Sequence, residues 1–296
     1  MLKKSIFSVS SLFLSALVLI SCSTPVTKKE PLKQISVSSK EKPMYGLGGK
    51  IGGASKLTIG EKPTAFIPVN VDLRPGFAPV YNQGKSNACG GFAMAHGLSE
   101  YLLRKTGNQT PLSPRFVWNS ARIKENTLKE DMGIYLKTLE DVALNVGVVP
   151  ESDFPFPSPE QMQNDNIYNA FISEAPSSVL NKKAQSLKLA QGITKVTSLA
   201  GIKEALAKGA PVVSLIEIYA SIFNTGANGN IPVPSPNSGD EDYGGHFILC
   251  VGYNEQKEQL IIRNSWGGKW GAQGYGYLPY AYVAAGYVYE GFTVKY

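Results

Sequence analysis

The sequence predicts an α+β fold in which a helical lobe packs against an antiparallel, β-barrel-like lobe, with a cleft between the two. Three observations predict it. Amphipathic 3.6-residue periodicity dominates the first half of the globular part, and runs rich in Val, Ile, Tyr and Phe dominate the second. No internal repeat links the halves. With 296 residues, 43% of them hydrophobic, and 3 Cys, the chain can bury a sizeable core. The same figures exclude a disulfide-knit mini-protein, a collagen-like chain and a disordered one.

The first element, residues 1–21, is an address. Lys3 and Lys4 precede an apolar run from Ile6 to Ile20 that is too short and too serine-rich to span a bilayer, and reads as the core of an export signal. It ends Leu19-Ile20-Ser21-Cys22, which resembles the bacterial lipobox. That resemblance implies cleavage before Cys22 and lipidation of its thiol, anchoring the protein in a bacterial cell envelope and facing the periplasm or the exterior. An ordinary secretory signal with an incidental Cys22 is the competing reading.

Residues 22–64, rich in Ser, Lys, Pro and Gly, read as a flexible basic tether. Its Gly46-Leu47-Gly48-Gly49 has no strand before it and no Walker Lys-Ser/Thr pair after it, so coil or a short surface-packed strand fits better than a phosphate loop. The tether carries eight Lys against three Glu, whereas residues 65–296 carry 19 basic and 20 acidic side chains. The net charge of +6 is therefore N-terminal, and excludes a nucleic-acid footprint on the globular part. Lysines beside a lipid anchor suit anionic head groups.

Residues 65–296 form the globular domain, with the helical lobe near 85–180 and the β lobe near 185–296. Helices are expected from Cys89 to Lys105, with Phe92, Ala95, Leu98 and Leu102 on one stripe, then over Ser113–Ile123, Ile134–Asn145 and Leu199–Lys208. Strands are expected over Pro211–Ile218, His246–Tyr253, Gln259–Asn264, Gly274–Pro279 and Gly286–Tyr296. A Gly-, Asn- and Pro-rich loop with an acidic knot fills Thr225–Gly245.

Cys250 sits in an apolar strand and reads as core. Cys89 opens a helix after a polar loop, with Ser86 or Asn87 as its cap; the helix N-terminus favours a thiolate there. His96, seven residues on, lies about 10 Å further along the same helix and out of reach. His246 opens a strand after Gly244-Gly245, and Asn264 ends the next strand, where its carbonyl can fix the imidazole tautomer.

Three blocks then stand in order: Gln83 six residues before Cys89, Gly-Gly-His246 with a following Val-Gly-Tyr, and Asn264-Ser-Trp-Gly-Gly-Lys-Trp-Gly. They resemble the signature blocks of the papain-like cysteine peptidases, as do Leu112-Ser113-Pro114-Arg115-Phe116 and Gly147-Val148-Val149-Pro150-Glu151. The resemblance covers roughly residues 68–290. It implies the papain-like two-lobe fold and peptide-bond hydrolysis by a Cys89–His246 thiolate–imidazolium pair oriented by Asn264. The Gln83 amide and the Cys89 N–H would form the oxyanion hole, and Trp266 would shield the His246–Asn264 contact. Gly133 stands about where the family binds extended substrate through backbone. No cofactor and no metal are implied. The expected partners are a peptide or protein substrate and the membrane through Cys22, with no nucleic acid, and the chain acting as a monomer.

Departures from the pattern qualify it. Gly90 replaces the aromatic residue that often follows the nucleophile, Ser86 replaces a disulfide cysteine, and Phe247 replaces the Ala that often follows the histidine, narrowing the main specificity pocket. Gly90 and Phe247 also motivate a catalytically altered binding protein on the same fold; a peptidoglycan peptide amidase is a further alternative. The tether is too short for a long helical propeptide, so any inhibition is expected to come from other means.

Overall fold

The computed structural model describes residues 45–296, so the export signal, Cys22 and the tether as far as residue 44 lie outside the described residues. Two short strands come first, β1 (Gly49–Lys50) and β2 (Asn70–Asp72). The helix expected over 89–105 follows as α1 (Cys89–Phe92), a π-helical stretch Ala93–Ser99 and α2 (Glu100–Lys105) in unbroken succession. Its stripe of Phe92, Ala95, Leu98 and Leu102 is buried. The expected cap is absent: Ala88 holds the N-cap position without a side-chain bond. Ser86 is committed to the Gln83 carbonyl, and Asn87 donates to the Asp131 carbonyl, so neither side chain is free to cap.

Helix α3 (Pro114–Lys124) starts with Pro at its first turn and a Ser113 hydroxyl that accepts from the Phe116 N–H. Strand β3 (Ile134–Tyr135) takes the first two residues of the next expected helix, which shortens to α4 (Leu136–Asn145). The sequence reading did not anticipate α5 (Asp165–Ser173), α6 (Ser178–Ser186) or β4 (Gly192–Val196). Then come α7 (Leu199–Ala207), β5 (Val212–Tyr219), β6 (Asp242–Asn254), β7 (Gln259–Arg263), β8 (Tyr275–Pro279), α8 (Tyr280–Ala284) and β9 (Val288–Lys295). Strand β6 begins inside the expected Thr225–Gly245 loop, whose Asp240 carboxylate accepts from the Ser221 and Ser235 N–H groups.

The nine strands form one curled sheet in the order β3-β1-β6-β5-β9-β4, with β2 and β7 also on β6, and β8 on β7. All described pairs are antiparallel except β1 with β3. Alternation along β5 and β6 divides the interior. Val213, Leu215, Phe247 and Leu249 face the core shared with the helices. Val212, Ile216, Ile248 and Cys250 face the β-lobe core with Trp266 and Tyr282. The active helix thus lies against a sheet face that presents Phe247 to it.

One boundary is corrected. Residues 45–64, expected as flexible tether, are folded onto the domain. Gly49 pairs with Gly245 on the edge of β6 opposite β5, and the buried Leu57 joins the β-lobe core while its N–H donates to the Val288 carbonyl. Backbone pairing and a plugged core position outweigh the local composition that suggested coil.

Candidate active site

Cys89 enters the site because α1 begins where the loop from Gln83 to Ala88 ends, and its side chain is fully buried between that loop and β6. The Phe247 N–H points at Cys89 Sγ at 3.3 Å. His246, one residue earlier on β6, presents its Nε2 to Asn264 Oδ1 at 2.8 Å. Asn264 directly follows β7, the antiparallel neighbour of β6, so sheet pairing brings together side chains 18 residues apart. The same Asn264 oxygen accepts from the Ser265 N–H at 2.8 Å, which fixes the carboxamide with its carbonyl toward the imidazole. Trp266 lies against the ring with centroids 4.8 Å apart, and is 1% exposed.

Gln83 is oriented from behind. The Ser265 hydroxyl donates to Gln83 Oε1, and the Gln83 N–H donates to the Ser265 carbonyl at 2.8 Å. Nε2 is thereby turned to the cleft, where it donates to the Ser86 and Gly46 carbonyls at 2.7 and 3.0 Å. Sequence reasoning missed Ser265, although it stands inside the Asn-Ser-Trp block. It also missed Asp131, whose carboxylate accepts from the Asn87 N–H at 2.9 Å and from the Tyr168 hydroxyl at 2.6 Å. Asp131 pins the loop two residues before Cys89 from a distance of 44 positions, which no local pattern reveals.

The cleft is occupied by the chain's own N-terminal segment, residues 45–50, which ends in β1. Tyr45 stacks on Trp266 with ring centroids 4.8 Å apart and planes 10° apart. The Gly46 N–H donates to Gly84, the Leu47 N–H to Asn87 Oδ1, and the Gly48 carbonyl accepts from the Ile134 N–H at 2.9 Å. Gly133 is covered by the same strand, since a Cβ there would lie 2.5 Å from the Gly48 carbonyl oxygen. The segment read as coil or a surface-packed strand thus lies in the cleft, with β1 as its last part.

Burial under this strand sets the electrostatics. It pushes the Cys89 thiol up to about 12, against the opposing help of the Phe247, Gly48 and Gly90 N–H groups. It pushes the His246 imidazole down to about 4, against the bond to Asn264. Desolvation thus works against the helix N-terminus and disfavours the charged form of both groups in the covered site. His246 Nδ1 makes no hydrogen bond in this state.

His96 stays apart from this group, as its distance along the helix requires. It is buried, with its ring tilted against Tyr81 at a centroid distance of 4.0 Å. Among the described residues no group of three His, Cys, Asp or Glu side chains is arranged to hold a metal ion.

Comparison with known proteins follows the same residues. The chain is 30% identical over 240 residues to an uncharacterized peptidase C1-like protein of Acanthamoeba polyphaga mimivirus, covering 77% of this chain and 74% of the viral one. It is 28% identical to mouse cathepsin K over 72% of this chain, and spans 60% of the cathepsin's length. The crystal structure of xylellain, a cysteine protease from Xylella fastidiosa, superposes with a TM-score of 0.73 at 28% identity, covering 88% of this chain and 98% of that one. Residues 67–285 match the papain family cysteine protease profile, a span that holds Gln83, Cys89, His246 and Asn264 in their expected order. On this match and these likenesses, the chain belongs to the papain family of cysteine proteases.

Proposed function

We propose that this cysteine peptidase hydrolyses peptide bonds with Cys89 as nucleophile, His246 as acid–base, Asn264 as its orienting partner and Gln83 as oxyanion donor. The observation that carries the reading is the 2.8 Å contact of His246 Nε2 with Asn264 Oδ1 beside a cysteine at a helix start. Nε2–H donates to Asn264, leaving Nδ1 as the free lone pair that takes the Cys89 proton. The resulting thiolate attacks the scissile carbonyl, forming the C–S bond while the oxygen gains charge beside Gln83 Nε2 and the Cys89 N–H. His246 returns the proton to the leaving amine as the C–N bond breaks. Water, deprotonated by His246, then cleaves the thioester and frees Cys89. Gly133 would bind the extended substrate backbone, Phe247 would line the cleft, and Trp266 would keep water from the His246–Asn264 bond.

In this reading the protein is made latent and acts once the segment 45–50 leaves the cleft. The Gly48 N–H is among the groups that would steady the Cys89 thiolate. The lipobox resemblance supports an envelope anchor at Cys22, with the lysine-rich segment beside the membrane. The occupied cleft would also suit a binding protein on the same fold, and one experiment separates the two. Hydrolysis of an unfolded protein and labelling by a thiol-directed epoxide are expected of the wild-type chain and should vanish in Cys89→Ala. A wild-type chain that neither cleaves nor labels, even after its N-terminal strand is displaced, would leave the binding role. Incorporation of a fatty-acid probe that is lost in Cys22→Ser tests the anchor.

A further inference from the structure

We propose that Asn87 is a substrate-recognition residue, whose side-chain oxygen accepts a hydrogen bond from an N–H donor of the bound peptide close to the scissile bond. The proposal rests on the peptidase reading above, and adds Asn87 to Gln83 as a polar side chain that reads the cleft. Asn87 Oδ1 accepts from the Leu47 N–H at 3.1 Å. Leu47 stands between Gly46, whose carbonyl lies 3.0 Å from Gln83 Nε2, and Gly48, whose carbonyl accepts from the Ile134 N–H at 2.9 Å. Asn87 therefore meets a backbone donor in the same stretch of cleft that holds the expected oxyanion donor.

The carboxamide is fixed from behind. Nδ2 donates to the Asp131 carbonyl at 2.7 Å, and the Asn87 backbone N–H donates to Asp131 Oδ1 at 2.9 Å. A carbonyl can bond only the amide nitrogen and an N–H only the amide oxygen, so both neighbours agree on which end of the group faces the cleft. Asp131 is held in turn, its Oδ2 accepting from the Tyr168 hydroxyl at 2.6 Å. None of these braces comes from residues 45–50, so Oδ1 is a preorganised acceptor two residues before Cys89 whether or not that segment is in place. A peptide that covers Oδ1 without offering a donor leaves it buried and unpaired, whereas one with an N–H in reach remakes the bond that Leu47 makes. That asymmetry is the source of selectivity. Two parts of a peptide have the required chemistry: a backbone N–H, or the side-chain N–H of Gln, Lys or Arg.

Kinetic coupling between substrate and side chain tests this. In the full chain carrying Gly48→Ala, in which residues 45–50 are expected to leave the cleft, peptides are compared with analogues that each lack one N–H, and the comparison is repeated after Asn87→Ala and after Asn87→Ser. One arm replaces single backbone N–H groups near the scissile bond by ester oxygen and follows cleavage at the original bond by mass spectrometry. The other exchanges Gln, Lys or Arg near that bond for Met. In one of the arms, loss of the N–H should lower kcat/KM about fivefold or more while Asn87 is present, and should leave the pair of peptides nearly equal in both variants. The arm that shows this coupling identifies the donor as backbone or side chain. A loosened loop would slow every peptide alike without changing those ratios. Equal losses with and without Asn87 in both arms overturn the proposal while the peptidase reading stands. No cleavage and no labelling of Cys89 in the Gly48→Ala chain overturns both.

Discussion

Gln83 Nε2 donates to the carbonyl oxygen of Gly46 at 3.0 Å. The side chain expected to receive a developing oxyanion therefore already holds a carbonyl from the same chain, 37 residues upstream. Under the proposed mechanism, the donor is unavailable to a substrate until this segment withdraws.

Displacing that strand should switch the site on. A Cβ at Gly48 would lie 1.9 Å from the Asn87 carbonyl oxygen, a backbone atom that cannot rotate away. Gly48→Ala is expected to raise the rate of Cys89 alkylation at pH 7 and peptide hydrolysis by about tenfold each, since opening the cleft restores hydration to the thiolate. Stopped-flow alkylation with iodoacetamide checks it, and unchanged rates would show that the strand does not gate the thiol.

The pH dependence of that alkylation should move with it. In the covered state the thiol, pushed up to about 12, stays protonated through neutral pH, so reactivity climbs only at strongly alkaline pH. Gly48→Ala should shift the rise to lower pH. Coincident pH–rate curves for the two proteins would contradict this account of burial.

Tyr45 is the strand's aromatic anchor. Its parallel stack on Trp266 should contribute about 0.5–1.5 kcal/mol, so Tyr45→Ala is expected to raise basal hydrolysis by a few-fold without altering the site. Tyr45→Phe, which keeps the ring, should remain as latent as wild type, and the ratio of initial rates decides.

Ser265 sets which face of the Gln83 amide meets the cleft. Gln83→Ala in the Gly48→Ala background should lower kcat by about 10²–10³. Ser265→Ala, which leaves the amide present but free to turn, should cost less, about tenfold in kcat with KM little changed, and Ser265→Thr should restore it. A fall confined to KM would assign Ser265 to binding instead.

Two buried carboxyls predict a stability window. Burial pushes Glu100 and Glu151 up to about 7, while in the unfolded chain they titrate near the ordinary 4.5. A raised carboxyl binds its proton more tightly in the folded state, so this contribution favours folding below about 4.5 and is lost as pH rises toward 7. His96 lies 3.7 Å from Glu100, but burial pushes its imidazole down to about 3, so it offers no compensating charge at neutral pH. Arg263 and Arg104 oppose the shift of Glu100 only in part. Glu100→Gln and Glu151→Gln are each expected to raise the Tm at pH 8 and flatten its fall between pH 5 and 7, by about 2–4 °C for each kcal/mol recovered. Calorimetry across that range would refute the assignment if both variants tracked wild type.

Much of the site was legible because its residues lie in local patterns. Cys89 announces itself at the turn from polar loop into amphipathic stripe, and His246 and Asn264 sit at ends of consecutive strands that must pair. Alternation along β5 and β6 likewise marks Leu215 and Phe247 as lying on one face. The cap was misread for a traceable reason: Asn87 has the chemistry of a cap, but Asp131 and Leu47, 44 and 40 positions away, claim its polar atoms.

Periodicity, signature spacing and charge placement are local properties, and they were enough to read a two-lobed α+β peptidase domain of nearly neutral charge with a basic N-terminal region ahead of it. Only the folded contacts put the glycine-rich end of that region in the cleft, brace the site with Ser265 and Asp131, and bury Cys89 and His246 where charge is disfavoured. Those outcomes depend on contacts between distant positions and on the water such contacts exclude, and neither is a property of any stretch of sequence alone.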